Sequence, residues 1–291
     1  MKRVPKFTRL LTNPEDLKRV MKAREVFSNK YSNGRLLIIG GSHEYYGAPV
    51  IAFSAGRQSL AALRAGAGYA KAFVPNSILA TARTLSPNTI IEGLGKNDIV
   101  FEKSLKVEIE KADAIVIGMG MSRKSLTTIA KIISYAIERG KKVVADAEAI
   151  EAIKLVRNRD PKNLVITPHD GEFQRLAGLK VPIRDAKGRI KMAKEASKKY
   201  RSTVVLKGHY TIITDGTRAK LNVPKTAALA TMGTGDVLSG MIGGYAAAGA
   251  GLFEASVAAV YLHSKIGDIL RNKLRYHIIA TDIIDILNNI L

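Results

Sequence analysis

The sequence predicts an α/β protein in which a central, mostly parallel sheet is covered by helices on both faces. Three observations carry that reading. Short apolar runs of strand length alternate with longer segments of helical periodicity, the pattern of βαβ units. Those runs end repeatedly in glycine or polar clusters, at 40–49, 118–121, 146–148, 167–172 and 207–211, and open parallel sheets bind their ligands beyond the carboxyl ends of the strands. No Pro-, Gly- or Ser-rich linker, low-complexity tract or repeat interrupts the 291 residues, so a lead-in over 1–33 and one domain over 34–291 is the simplest division.

Taken in order, Asn13-Pro14-Glu15-Asp16 reads as a helix start ahead of Leu17, Val20 and Met21. Arg35–Ile39 is a short, largely apolar run of the kind buried parallel strands show, and it ends in Gly40-Gly41-Ser42. A loop through His43-Glu44-Tyr45-Tyr46-Gly47-Ala48-Pro49 leads into a helix over Val50–Ala65, whose small residues let it lie close against a sheet; Gly66-Ala67-Gly68 ends it. Further strands are expected at Tyr69–Val74, at Ala114–Ile117 before Gly118-Met119-Gly120, and at Lys142–Asp146. Two more follow at Leu164–Thr167, ending in Pro168-His169, and at Thr203–Leu206, ending in Lys207-Gly208. Helices are expected from about Ser125 to Arg139, from Gly171 through Leu176, and over Arg184–Tyr200, the last a basic surface helix. Tyr210–Thr214 and Arg218–Val223 flank Asp215-Gly216 as a β-hairpin. Three helices near 236–248, 253–271 and 280–290 close the chain.

Composition bounds the function. With 46% hydrophobic and 24% charged residues, the chain has ample material for a core. It contains no run of about 18 apolar residues that would span a bilayer. Its basic N-terminus lacks the apolar stretch of a secretory signal, so a cytoplasmic protein without membrane contact is expected. The lack of cysteine excludes disulfides, a thiol nucleophile and thiolate metal sites. A formal charge of +21 is compatible with nucleic-acid binding. Lys and Arg are nevertheless spread over many segments without a zinc-finger, RNP or helix-turn-helix signature, so no specific nucleic-acid partner is expected. The five histidines, at 43, 169, 209, 263 and 277, show no metal-ligand spacing, which argues against a dedicated zinc site.

The candidate site is organised around residues 230–240, Ala-Thr-Met-Gly-Thr-Gly-Asp-Val-Leu-Ser-Gly. Gly233, Thr234 and Gly235 make a turn poor in side chains, and from Asp236 the pattern turns helical through Val237, Leu238, Met241, Ile242 and Tyr245. A glycine turn that opens a helix offers backbone N–H groups and the positive end of the dipole, which suit a phosphate. A carboxylate in the first turn, here Asp236, can act as a base on a hydroxyl held beside the phosphate to be transferred. In isolation Gly-Thr-Gly-Asp reads as a plain helix N-cap; the surrounding clusters favour the phosphate site. Neither the Walker A string nor GxGxxG occurs, since after Gly118 and Gly120 the sixth position is Arg123. Lys207-Gly208 at a strand end places an ammonium or a backbone N–H near a nucleotide, or is a lysine reaching past a sheet edge to solvent. Asp146 and Glu148 either help hold magnesium through water or cap the helix after them. His169, following Thr167-Pro168 at a strand end, is placed to donate to a ligand. His263, on an apolar helical face, reads as packed or capping. No Ser-His-Asp arrangement sits in a nucleophile-elbow context.

Together these strings resemble the ADP/ATP-dependent NAD(P)H-hydrate dehydratase family of the ribokinase-like superfamily. The resemblance is carried by Gly34-Arg35 through Ile39-Gly40-Gly41-Ser42, Tyr46-Gly47-Ala48-Pro49, and Arg64-Ala65-Gly66-Ala67-Gly68. It continues with Asp146-Ala147, Thr167-Pro168-His169 with Gly171-Glu172-Phe173, Leu206-Lys207-Gly208, and Ala230-Thr231 through Gly240. The strings occur in the family's order from about residue 12 to the C-terminus, and they leave no room for the N-terminal epimerase domain many members carry. What the resemblance implies is a ribokinase-like fold and repair of damaged nicotinamide cofactor. The hydroxyl of the (S)-hydrate of NADH or NADPH (NADHX, NADPHX) is phosphorylated from ADP or ATP, and the phosphate is then eliminated. Carried over, Asp236 is the base near the hydrate, with Ala48, Gly120 and His169 contacting it. Gly235 donates to the nucleotide's phosphates, and Lys207, Gly208, His209, Tyr210 and Thr211 line the nucleotide side. Magnesium bridges the phosphates, and a homotetramer is the implied assembly.

The chain departs from the family pattern at four places. Met119 stands where proline usually separates two glycines, Asp170 replaces the proline after Thr-Pro-His, Glu148 stands for Asp, and Lys225-Thr226-Ala227 replaces Thr-Gly-Asn. These changes fall nearer the hydrate contacts than the phosphoryl-transfer core. Two other readings remain at this point. One is a kinase of the same fold acting on a vitamin-precursor alcohol, which would leave a stable phosphorylated product. The other is a basic binding module indifferent to adenine nucleotides. The residues themselves do not decide between ADP and ATP; family habit leans towards ADP.

Overall fold

The structure, a computed structural model, describes residues 10–21, 25–43, 66–85 and 90–290. Nine strands form one sheet: β1 (Arg35–Ile39), β2 (Tyr69–Val74), β3 (Ile90–Gly93), β4 (Ala114–Ile117), β5 (Lys142–Ala145), β6 (Leu164–Ile166), β7 (Thr203–Leu206), β8 (Thr211–Thr214) and β9 (Ala219–Asn222). Their order is β3-β2-β1-β4-β5-β6-β7-β8-β9. The first seven run parallel, and β8 and β9 close the sheet as an antiparallel hairpin. From β1 the chain winds outward to β2 and β3, then returns to lay β4 on the other side of β1. That reversal makes β1/β4 the topological switch point, beyond whose carboxyl ends such sheets bind ligands.

Side-chain alternation along each strand divides the core in two. Leu36 and Ile38 of β1, with Val116, Val144 and Val205, pack under α8 (Thr234–Ala247), α9 (Leu252–Leu274) and α10 (Ala280–Ile290). Leu37 and Ile39, with Ile115, Ile117, Val143 and Ile166, face α3 (Lys103–Lys111), α4 (Leu126–Glu138), α5 (Glu148–Ala152), α6 (Asp170–Ala177) and α7 (Ala186–Tyr200). Helix α8 lies directly on the switch point. A Cβ on Gly243 would come within 2.4 Å of Val116 and 3.1 Å of Leu36, so only glycine lets the helix approach the sheet this closely.

The expected strands and the hairpin are all present, with β5 and β6 each ending one residue earlier than the sequence indicates. The stretch 75–113, unassigned from sequence, contains α2 (Leu79–Leu85), β3 and α3. Strand β3 is a four-residue edge strand with Ile90 exposed, too short and too open to print an apolar run. The helix expected over Val50–Ala65 lies outside the described residues. Before β1, Asn13 caps α1 (Pro14–Lys18) with a full capping box. Leu11 makes a bridge to Leu221, Thr12 donates to Asn222 at 2.8 Å, and Lys220 pairs with Asp16 at 2.9 Å. The segment thereby covers the edge that β9 would otherwise expose. No helix among the described residues is long and apolar enough to cross a membrane.

Candidate active site

Helix α8 opens as the sequence indicates. Gly233 adopts a left-handed conformation (φ 85°) as the N-cap residue, which glycine allows without strain. The Thr234 hydroxyl donates back to Leu229 O (2.8 Å) and Thr231 O (3.0 Å), folding the preceding segment into a tight turn. The first bond of the helix runs from Val237 N to Gly233 O, so the N–H groups of its opening turn have no acceptor within the helix. Asp236, half-buried, lies in that turn.

Beside the turn is a buried polar network that joins the ends of three strands to α8. Asp146, just past β5 and 2% exposed, accepts at Oδ1 from Thr167 (2.7 Å) and from the Lys207 ammonium (3.0 Å), and at Oδ2 from Ser239 (2.7 Å). Thr167 follows β6, Lys207 follows β7, and Ser239 lies one turn into α8. Glu172 Oε2 stands 4.0 Å from the same ammonium. Burial alone would push the Asp146 carboxyl up, but the Lys207 charge and the two hydroxyls hold it below its ordinary value. Burial would likewise pull Lys207 down; Asp146 and Glu172, with a smaller contribution from Asp236, hold it above the ordinary lysine value. Glu172 is raised, by burial first and by the Asp146 charge in addition. One ammonium is thus shared by three carboxylates. It is also aimed at the glycine turn: a Cβ on Gly235 would meet Lys207 Nζ at 3.2 Å.

His169 caps α6. Its Nδ1 accepts from Gly171 N (3.0 Å) and Glu172 N (3.4 Å), while Glu172 Oε2 accepts from His169 N at 2.8 Å. An accepting Nδ1 leaves the proton of the neutral ring on Nε2, so this nitrogen is a donor. The ring is 55% exposed and can meet a ligand.

His169, Lys207, Gly208, His209, Thr211 and Gly235 line one cleft of about 760 Å3, whose far wall is the 224–232 segment against Val260, His263 and Ser264 of α9. Six of the expected contacts are therefore brought together. Among the described residues, Gly120, Tyr210 and Asp236 do not line this cleft. Gly120 is on the loop after β4, Tyr210 sets its ring edge-on to His209 at 4.7 Å, and Asp236 is next to the wall at Gly235. Ala48 lies outside the described residues. Three sequence readings change. Lys207 does not reach for solvent but is bound to Asp146. Asp146 caps no helix with its side chain, because both oxygens are engaged in the network and α5 begins after Ala147 without a side-chain cap. The basic helix α7 is not wholly a surface element, since Arg189 is fully buried. His263 is packed as expected, its Nε2 3.0 Å from Thr234 O.

The sequence does not single out Thr167 and Ser239 as partners of Asp146, although both lie inside the strings that carry the resemblance. On the switch-point side, Gly41 N donates to Met119 O at 2.8 Å, binding the loop after β1 to the loop after β4. Gly118 (φ 120°) sits so close to Asp146 O that a Cβ would lie 2.0 Å from it.

A helix with a glycine opening, lying on the switch point of a parallel sheet beside a charged cleft, places the chain among ribokinase-like α/β proteins. A ribokinase-like superfamily protein from Enterococcus faecalis matches with a TM-score of 0.78 and 28% identity, over 94% of this chain and 92% of that one. The family model for NAD(P)H-hydrate dehydratase matches residues 36–289, and the chain belongs to that family. An ADP-dependent (S)-NAD(P)H-hydrate dehydratase of Nitrosopumilus maritimus is 33% identical over 273 residues, 92% of each protein. The ADP/ATP-dependent NAD(P)H-hydrate dehydratase of Bacillus subtilis, co-crystallised with ATP and Mg2+, matches with a TM-score of 0.75 and 26% identity over 96% of each chain. Bifunctional NAD(P)H-hydrate repair enzymes are longer; the chain spans about half of their length, 55% in one case.

Proposed function

We propose that this chain returns the (S)-hydrates of NADH and NADPH to the intact cofactors, with ADP as the favoured phosphoryl donor and ATP as the alternative. The observation that carries this reading is the opening of α8: a glycine turn with the Lys207 ammonium beside Gly235 and a carboxylate, Asp236, one residue further on. The nucleotide lies along the cleft, its terminal phosphate against the opening turn of α8 and its other end among Lys207, Gly208, His209 and Thr211. The hydrate lies towards Gly120, with His169 donating to it; Ala48 enters only as a contact that the family resemblance implies.

Asp236 takes the proton of the hydrate hydroxyl as its oxygen attacks the terminal phosphorus, and the bond to the departing nucleotide oxygen breaks. The hydroxyl, a poor leaving group, becomes a phosphate ester. The lone pair of the ring nitrogen then expels phosphate, and loss of a proton from the neighbouring ring carbon restores the dihydronicotinamide. Lys207 and the helix dipole stabilise charge on the transferring phosphoryl group.

Among the described residues no three His, Asp or Glu side chains gather into a metal cage. Yet Asp146, Glu172 and Asp236 around one ammonium leave the site net negative. Phosphates entering such a site call for a divalent counter-ion, and Mg2+ is commonly held by phosphates, water and one or two carboxylates. It would be held chiefly by the phosphates and water, with Asp236 and Glu172 as the neighbouring carboxylates; Glu172 Oε2 already accepts from His169 N, and Asp146 has both oxygens engaged. Bound there, Mg2+ would neutralise charge on the phosphates.

The test is a repair assay on chemically prepared NADH hydrate with ADP and ATP in parallel. Absorbance of the reduced nicotinamide should return, faster with ADP. No recovery with either nucleotide would refute the proposal, and accumulation of a stable phosphorylated product would identify a kinase instead.

A further inference from the structure

Helix α7 carries a side chain that its basic, surface-like sequence conceals. The side chain of Arg189 is 0% exposed, although the residues around it on the helix, such as Lys187, Lys191 and Lys194, face outward. A fully buried guanidinium needs its donors satisfied, and its three stronger partners, Asp170, Lys207 and Tyr210, lie at or next to the cleft. Nε donates to Tyr210 O at 2.9 Å, Nη2 to Lys207 O at 2.9 Å, and Nη1 to Asp170 Oδ1 at 2.8 Å and more weakly to Pro182 O at 3.5 Å. The two carbonyls bracket Gly208 and His209. Gly208 rests on the guanidinium itself, where a Cβ would lie 2.5 Å from Nη2. On the opposite side, Lys207 N donates to Pro168 O at 2.8 Å. Both backbone groups of Lys207 are thus fixed, and with them the direction in which its ammonium leaves the strand.

We propose that Arg189 is a positioning residue for nucleotide binding, fixing the 207–210 turn from below, and that Asp170 couples this turn to His169 at the start of α6. The inference rests on the proposed nucleotide site. Arg189 touches no substrate; it acts through the main chain of Lys207 and Tyr210. A bidentate, planar group suits this role because it holds two carbonyls and a carboxylate at fixed mutual angles, which the single point charge of lysine cannot do.

The experiment is calorimetric titration with ADP, together with steady-state kinetics, on the full chain and its variants Arg189→Met, Arg189→Lys, Asp170→Ala and the double variant Arg189→Met/Asp170→Ala. Lys194→Gln, on the same helix but bonded to Thr217 O at 3.0 Å away from the cleft, serves as the control. Arg189→Met should weaken ADP binding about tenfold or more, since small misplacements of binding groups carry large penalties. Its KM for ADP should rise by a larger factor than kcat falls, because the turn loses its support while the Lys207 ammonium keeps its bond to Asp146. Arg189→Lys should fall between, Asp170→Ala should lose a few-fold, and the double variant should be no worse than Arg189→Met because both act through one group. Lys194→Gln should bind as the parent does. A folded Arg189→Met that binds ADP with parental affinity would overturn the inference. If that variant does not fold, parental ADP affinity in both Arg189→Lys and Asp170→Ala would overturn it equally. A parent chain that binds no ADP would instead refute the nucleotide site itself.

Discussion

The two sides of the ligand-binding end are built from different materials. Beyond β5, β6 and β7 the chain places charged and hydroxylic side chains, Asp146, Thr167, His169, Glu172 and Lys207, bound to each other and to Ser239 of α8. Beyond β1 and β4 it places glycines and methionines, and the contacts run through backbone: Gly41 N to Met119 O, and Gly118 against Asp146 O. The first side sets an electrostatic field in which a phosphoryl group can move. The second sets a shape. The difference teaches that charge-changing substitutions should damage chemistry on one side, whereas on the other a single added methyl should damage the fold.

The largest expected effect is at the junction of the two. Asp236→Asn keeps the size of the side chain and removes the base, so the repair rate should fall about 10²–10⁴-fold while the thermal midpoint stays near the parent value. A rate within tenfold of the parent would break the assignment. Next comes Lys207→Met, which should lower kcat/KM about 10²–10³-fold by removing a donor to the transferring group. It also leaves Asp146 and Glu172 buried without their counter-charge, so unfolding in denaturant should show a loss of about 3–5 kcal/mol. An active, stable Lys207→Met would show that the network is ornamental.

On the other side, Gly118→Ala should lose about 1–3 kcal/mol or more, from a left-handed backbone and the clash with Asp146 O combined. Its remaining activity, normalised to folded protein, should be far closer to the parent than that of Asp236→Asn. The smallest effect on activity concerns pH, which acts on stability alone. Burial pushes His263 down to about 4 from an ordinary value of 6.5. Below pH 6.5 the unfolded chain takes up a proton that the folded chain refuses until about pH 4, so stability present at neutral pH is lost as pH falls through that window. The loss is on the order of 3 kcal/mol. His263→Asn should flatten this segment of the stability–pH curve and leave the slope above pH 7 unchanged.

Most of the sheet was legible because its strands are buried on both faces and read as short apolar runs, as at Arg35–Ile39 and Ala114–Ile117. The edge strand β3 was not, since Ile90 is exposed and only Ile91 of its four residues is buried. At the site, the α8 turn was legible because its conformation depends on glycine, which leaves a mark in the sequence. The Asp146–Thr167–Lys207–Ser239 network was not, because its members lie 21 to 93 residues apart and meet only when the strands align. Arg189 was the least legible: among the basic residues of Arg184–Tyr200, periodicity does not distinguish the one that turns inward.

The assignment turns on the opening of α8 gripping the terminal phosphate with Asp236 beside it. A crystal structure of the protein with ADP and Mg2+ tests this most directly. The terminal phosphate should lie within hydrogen-bonding distance of the backbone N–H groups at Thr234–Asp236, with the Asp236 carboxylate facing the open side towards Gly120. Phosphates bound elsewhere in the cleft, with Asp236 turned away from them, would contradict it.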